Sequence, residues 1–481
     1  MALVLGVDSS TQSTKCEIRD VDDGTLIASA RAAHPSTRPP RSEQSPQSWW
    51  DAFGSAVSQA KALHQFRSVA AISVAGQQHG MVLLGRDGAV LRDAKLWNDT
   101  ESADEARMLA EAMPGQEWAD AVGSVPLAAF TLSKLVWLSI HEPSVLDQVT
   151  SVLLPHDYLN YRLTGELATD RGDASGTGYF QPATGRWRPD LLERFVQPGP
   201  WEKRLPRVLG PLDPVGPVSS DILEALDLTG EAVVGPGTGD NMAAALGAGL
   251  KPSDVAMSLG TSGTVYTTYP RPVCDPSGTV AGFADATGGF LPLACTLNAT
   301  RVTATVAGWL GISEIELSAL AAKVTDRTEQ PVLVPYFEGE RTPNRPNATG
   351  MLSGLTTATN PAQIARAAFE GVVCGLLDGL DALAAQTGTV PNRIVLVGGG
   401  ARSPAYRRAV ADLSGVPVLV PAEEEHVAVG ACVQAAAVVS GRSIADIQGA
   451  WGLGAGRETT PDPTVDRAAI RHRYAEAAAR G

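Results

Sequence analysis

The sequence predicts an α/β protein built of two related domains with a cleft between them. Two observations predict this. An apolar strand, a small polar turn and a second strand open the chain at residues 3–18, and the same unit returns at residues 255–268. Glycine-rich turns join an apolar strand to a helix at Gly235–Asn241 and at Gly398–Ser403. With 481 residues the chain is long enough for more than one full core. One unit opening both halves then reads as a repeated domain.

The elements follow in order. Leu3–Val7 is a strand that ends at Asp8, and Lys15–Ile18 resumes after a small polar turn. Asp22-Asp23-Gly24 turns the chain into a third strand, Leu26–Arg31. Ser45-Pro46 opens a helix that runs to Ala62, with proline in its first turn. Val69–Ala75 is a buried strand that stops at Gly76-Gln77-Gln78-His79-Gly80. A helix follows from Ser102 to about Met113, then a mixed helical region over 127–163. Residues 171–188 read as loop or edge hairpin, because Gly, Asp and Thr crowd there. Val233-Val234 leads into Gly235–Asn241 and an Ala-rich helix from Met242. In the second half, Val255–Leu259 and Val265–Thr268 are strands around Gly260–Thr264. A long helix spans 362–386, a strand 394–397, and helices run to about Leu413 and over 427–439. The domains are set at 1–247 and 248–445, with 446–481 a helical tail.

Composition narrows the class. Hydrophobic content of 44% and charged content of 19% are those of a globular protein. A formal charge of −14 argues against nucleic acid and anionic membrane as partners. No apolar run of about 18 residues exists to span a membrane, and the first residues lack the basic flank of a signal peptide. The five cysteines are scattered without metal-ligand spacing, which fits reduced thiols in the cytoplasm.

Three stretches carry chemistry. Asp8–Lys15 places a carboxylate at a strand end before hydroxyl-rich residues. Consecutive amides there can hold phosphate oxygens and the carboxylate can hold Mg²⁺, while an ordinary hairpin turn has the same pattern. Asp240 sits where a glycine turn meets a helix. It fits a helix cap and a general base equally well, with the helix dipole favouring its ionised form. Gly398-Gly399-Gly400 can turn its amides toward a nucleotide, but it has neither dinucleotide-fingerprint nor P-loop spacing.

Taken in order, Asp8-x-x-Thr11, Gly237-x-Gly239-Asp240-Asn241, Ser258–Gly263 and Gly398–Ser403 resemble the FGGY carbohydrate kinases of the actin-like ATPase superfamily. The resemblance covers about residues 3–440. It implies two RNase-H-like domains flanking a nucleotide and sugar cleft, with ATP and Mg²⁺ as the cofactors. Ser42–Gln44 with Trp49-Trp50, Ala75–Gly80, Leu96–Asp99 and Gly339–Pro343 resemble the members that phosphorylate D-xylulose. Asp240 is then the implied general base. Gln78, His79, Asn98, Asp99, Asp240 and Asn241 are the implied sugar contacts. Thr11, Gln12, Ser13, Gly260, Thr261, Gly399, Gly400, Ala401 and Ser403 are implied on the nucleotide side, and Asp8 at the metal. In the first phosphate turn Ser10 and Ser13 stand where that family commonly has glycine. Glu340 and Arg341 fit either a surface ion pair or a place in the cleft.

The expected partners are a small sugar and ATP, in the cytoplasm, without nucleic acid or membrane; a homodimer is compatible with this. Two other classes compete. A kinase for ribulose, gluconate or glycerol would share everything except the sugar-side stretches. An actin-like filament or chaperone ATPase would share the nucleotide side, but a chaperone needs a peptide-binding domain for which residues beyond about 440 leave no room.

Overall fold

A computed structural model describes residues 2–64, 66–327 and 330–480. Contacts divide the chain into two units. The first comprises Met1–Gly249, Tyr269–Leu291 and Glu425–Leu453, and the second Leu250–Thr268, Pro292–Glu424 and Gly454–Gly481. The helix His426–Ser440, read from sequence with the second half, therefore belongs to the first unit.

In the first unit Leu3–Ser9 runs antiparallel to Ser13–Asp20, with Leu3 opposite Asp20 and Ser9 opposite Thr14. Leu26–Ala33 adds the third antiparallel strand. On its other side Leu3–Ser9 runs parallel to Ala71–Gly76, which in turn pairs parallel with Val233–Val234 and Thr238–Gly239. Ala71–Gly76 is buried at every residue, which explains its unbroken run of small and apolar side chains. Pro46–Leu63 packs against the meander strands, and His426–Ser440 packs against Leu3–Ser9 and Ala71–Gly76. His426–Ser440 also lies along Asp240–Gly247, and its Gly430 sits where a Cβ would overlap the Ala243 carbonyl oxygen. The small residues in both helices permit that approach.

The second unit repeats the order. Asp254–Leu259 is antiparallel to Gly263–Thr267 and parallel to Arg393–Val397, and Val418–Pro421 continues the parallel side. The 27-residue helix Pro361–Thr387 packs on Gly263–Thr267. Asn360 caps it in a reciprocal bond with Gln363, and Gly388 ends it in a left-handed turn.

Two regions differ from the sequence reading. Residues 171–188 contain a helical turn, Arg171–Ala174, before the short hairpin Phe180–Gln181 with Arg186–Trp187. Asp170 imposes that turn by accepting the amides of Gly172 and Asp173. The stretch 446–481 is not only a helical tail. Gly456–Thr459 joins the second sheet antiparallel to Val418–Pro421, and Arg467–Ala478 buries Ile470 and Tyr474. No single helix among the described residues is long and apolar enough to cross a membrane.

Candidate active site

The first unit gathers Asp240 and the Gln78-His79 loop at the ends of parallel strands. Thr238–Gly239 pairs with Ala75 and Gly76, so Asp240 leaves one strand end beside the loop that leaves the other. Asp240 is the first helical residue, and its Oδ1 accepts the Asn241 amide at 2.8 Å and Asn241 Nδ2 at 2.9 Å. Asn241 Nδ2 also donates to Gln78 Oε1 at 2.9 Å. One amide group thus bridges Asp240 to the Gln78-His79 loop. The turn before Asp240 is tied down by Asn160, which donates to the Pro236 carbonyl, and by Gln434, which donates to that of Gly237.

Burial, then the nearby charge of Asp173, pushes the Asp240 carboxyl up to about 7. The helix dipole and the Asn241 bonds pull the other way and do not prevail. The N-cap is Gly239, so Asp240 is not the cap that the sequence offered but a first-turn carboxylate poised to exchange a proton near neutrality.

Asp8 is the next-to-last residue of its strand, with Oδ1 buried and without a hydrogen-bond partner. Burial, then the charges of Asp240 and Glu425, push it up to about 7 against Lys15 and Arg31. A carboxylate with an unpartnered buried oxygen, facing a second acid, is a donor set that a divalent cation suits. Beyond it Ser10 donates from its amide and hydroxyl to the Ser13 carbonyl, closing the turn. Among the described residues the non-glycine positive φ angles are at His79, Asp227 and Ser253, so Ser10 and Ser13 are accommodated without left-handed strain. Gln12 is exposed and its carbonyl accepts the His34 amide. Thr11 accepts Trp97 Nε1 at 2.9 Å and donates to Gln77 at 3.1 Å, which joins the turn to two sugar-side stretches.

The second unit gathers the other glycine turns. The Gly260 carbonyl accepts both the amide and the hydroxyl of Thr300, and that of Thr261 accepts the Ala299 amide. Gly398 has φ 84°, and a Cβ on Gly400 would come within 2.7 Å of Leu259 and 2.9 Å of Thr300. A Cβ on Gly399 would meet nothing within 4 Å, so open space lies over that backbone. Ala401 follows in the same turn, and the Ser403 hydroxyl donates to Ser318 at 3.1 Å. The turn at Gly260-Thr261 and the turn at Gly399–Ser403 are thus neighbours around Leu259 and Thr300.

A model of the N-terminal domain of the FGGY family of carbohydrate kinases matches residues 3–247, and that of its C-terminal domain matches residues 255–439. The chain belongs to the FGGY carbohydrate kinases. It is 44% identical to the xylulose kinase of Streptomyces coelicolor, over 94% of this chain and 92% of that protein. It is 43% identical to the xylulose kinase of Streptomyces rubiginosus over the same shares. The crystal structure of xylulose kinase from Bifidobacterium adolescentis superposes with a TM-score of 0.88 at 39% identity, covering 100% of this chain and 99% of that one. This FGGY kinase therefore has the two-domain fold of actin-like ATPase type, and it is a sugar phosphotransferase that uses ATP.

Two acidic residues of this FGGY kinase are held by neighbours that the sequence did not show. Asp99 is fully buried, and its carboxylate accepts the amides of Ser42 and Glu101 and lies 3.4 Å from Lys95. Its carboxylate is engaged inside an ion cluster, which the sugar reading did not foresee. Glu43 and Glu101 complete that cluster; the three acids lie close enough for a metal, but the Lys95 ammonium pairs with each of them. Glu340 is buried and accepts the amides of Leu297 and Arg341 and the side chain of Asn298, so it holds its own loop rather than forming a surface pair. Asn98 keeps its place beside Trp97, with Oδ1 buried and unpartnered.

Sequence reading missed His156, Asp170 and Asp173. His156 Nδ1 lies 2.8 Å from Asp173, and its Nε2 lies 3.1 Å from Asp157 and 3.7 Å from Asp170. Burial opposes the charged ring, but the three carboxylates outweigh it and raise the imidazole to about 9. Asp170 also accepts Thr238 Oγ1 at 2.7 Å, next to the strand end that carries Asp240. No spacing in the sequence marks these residues, because the contact of His156 with Asp173 crosses 17 positions and that of Asp170 with Thr238 crosses 68.

Proposed function

We propose that this kinase transfers the γ-phosphoryl group of ATP to the terminal hydroxyl of D-xylulose, giving D-xylulose 5-phosphate, with Asp240 as general base. The observation that carries the chemistry is the Asp240 carboxyl, raised to about 7 and bridged by Asn241 to Gln78. The likeness to xylulose kinases over 94% of the chain favours this sugar. A primary hydroxyl is too weak an acid to ionise first. Asp240 takes its proton late, as the bond to phosphorus forms and acidifies it. The freed oxygen bonds to the γ-phosphorus, the bond to the bridging oxygen breaks, and ADP leaves.

The ketopentose reacts as its open chain, because ring closure consumes the hydroxyl at C5. Gln78, His79, Asn98 and Asn241 suit an extended polyol, since each brings short-range hydrogen-bonding atoms. Asp8 would hold Mg²⁺, which when bound with ATP neutralises phosphate charge. The Thr11–Ser13 turn and the Gly260-Thr261 and Gly399–Ser403 turns bind phosphates and nucleotide in this reading. The enzyme acts in the cytoplasm on free sugar and ATP, without nucleic acid or membrane.

ADP release measured with single sugars tests the assignment. Xylulose should exceed ribulose, gluconate and glycerol by at least about tenfold in kcat/KM, a difference of about 1.4 kcal/mol in transition-state binding. A preference for any of the other three would refute the sugar while leaving the kinase in place.

A further inference from the structure

His79 is a non-glycine residue at φ 65°. A side chain in that region carries strain of about 1–3 kcal/mol and persists only where its surroundings over-determine it. Here they do so on every side. The His79 carbonyl accepts Lys134 Nζ at 2.7 Å and Thr131 Oγ1 at 3.2 Å. Its backbone N–H lies on the Asp173 side and favours the charged form of that carboxylate. Its ring lies 5.1 Å from Phe130 and 5.8 Å from Phe283, and a Cβ on Gly176 would overlap it.

Asp173 and Lys134, an acid and an amine, are both fully buried, and they lie at the two ends of one residue. Burying either charge is costly unless hydrogen bonds satisfy it. The other partner of Lys134 is the Ala129 carbonyl, and the other partner of Asp173 is His156. His156 itself lies against Gly237, whose Cβ would come within 2.6 Å of its ring, in the turn that leads to Asp240. The bracket therefore spans from the sugar loop to the base loop.

We propose that Asp173 and Lys134 are positioning residues that clamp the His79 peptide from its N–H and its C=O, and so fix where the imidazole meets the sugar. This rests on the reading of His79 as a sugar contact given above. Neither residue touches substrate; toward the sugar each acts through His79, while the Asp173 charge also raises Asp240 and so bears on kcat rather than on the sugar KM.

The test is a double-mutant cycle on the full-length enzyme, reading KM for xylulose and for ATP separately. Lys134→Met removes the donor to the carbonyl while keeping length and apolar stem. Asp173→Asn keeps shape and an acceptor oxygen but removes the charge. Lys134→Met should raise the KM for xylulose about tenfold, with Asp173→Asn milder at about threefold. The KM for ATP should stay within about twofold in both. In a His79→Ala background, neither substitution should raise the sugar KM further, because the group they position is gone. The same fold-increase in both backgrounds would overturn the clamp, since the residues would then act independently of His79. His79→Ala alone leaving the sugar KM unchanged would instead defeat the sugar reading of His79, and the clamp with it. If Lys134→Met does not fold, the Asp173→Asn arm of the cycle decides alone.

Discussion

At the scale of the residue, the site rests on how much protein surrounds a few carboxylates. Asp8 and Asp240 keep partial contact with solvent, yet burial and like charge raise both to about 7. Asp240→Asn keeps the shape and an oxygen that can accept from Asn241, and loses the basic charge. It should fold normally and lose about 10²–10⁴-fold in kcat, read by ADP release with xylulose, since that is the usual worth of a positioned base. Turnover within about tenfold of wild type would remove Asp240 from the proton-transfer role. The pH profile follows from the sign of the shift. A base works only when unprotonated, and burial, with the Asp173 charge beside it, raises the pH at which Asp240 lets its proton go. Activity should therefore rise through about pH 7 and fall on acidification below it. A profile flat down to pH 5, where an ordinary carboxylate is still ionised, would contradict the raised value. The sequence marked Asp240, Asn241, Gln78 and His79 because each lies in a glycine-flanked turn that local pattern exposes. It did not mark Asp173 or Lys134, whose meaning lies in reaching His79 from segments far along the chain.

At the scale of the element, two features make distinct demands. The turn Gly399–Arg402 follows a strand and passes so close to Leu259 and Thr300 that Gly400 admits no side chain without displacement. Gly400→Ala should shift this turn and raise the KM for ATP, leaving the KM for xylulose nearly unchanged in steady-state assays. Equal effects on both would argue that the turn serves stability rather than the nucleotide. The C-terminal helix Arg467–Ala478 packs on Val332–Val334 and on Pro361–Thr387, with Ile470 6% exposed. Ile470→Ala should cost about 2–4 kcal/mol in chemical denaturation, as core truncations do. A loss below about 0.5 kcal/mol would mean that this helix is dispensable to the core it covers.

At the scale of the whole molecule, binding and stability are linked. A ligand that binds only the folded state stabilises it by about 2.7 kcal/mol at a hundredfold excess over Kd. Xylulose and ATP should therefore each raise the melting temperature alone, since the sugar-side residues lie in one unit and the Gly260 and Gly399 turns in the other. Thermal melts with xylulose, ribulose and ATP check this. A shift with ATP and none with xylulose at millimolar concentration would count against a preformed sugar site. The order of contacts also explains why the chain divides as it does. His426–Ser440 covers the first sheet although it comes after most of the second unit, so contact partners and chain order diverge.

The sequence by itself determined the repeated strand–turn–strand design, the glycine turns, the family resemblance and the turn residues that carry the chemistry. All of these are properties of neighbours in the chain, where apolar runs and glycine positions dictate backbone path. Only the tertiary structure decided which charged side chains are occupied and which are poised. Asp99 reads like Asp240 in sequence, a carboxylate after a polar turn, yet Lys95 and two backbone amides hold it while Asp240 is left beside Asp173. The same holds for His156, which no motif announces and which three acids keep charged. Burial and charge at such sites depend on what the rest of the fold brings near, and that has no signature in local spacing.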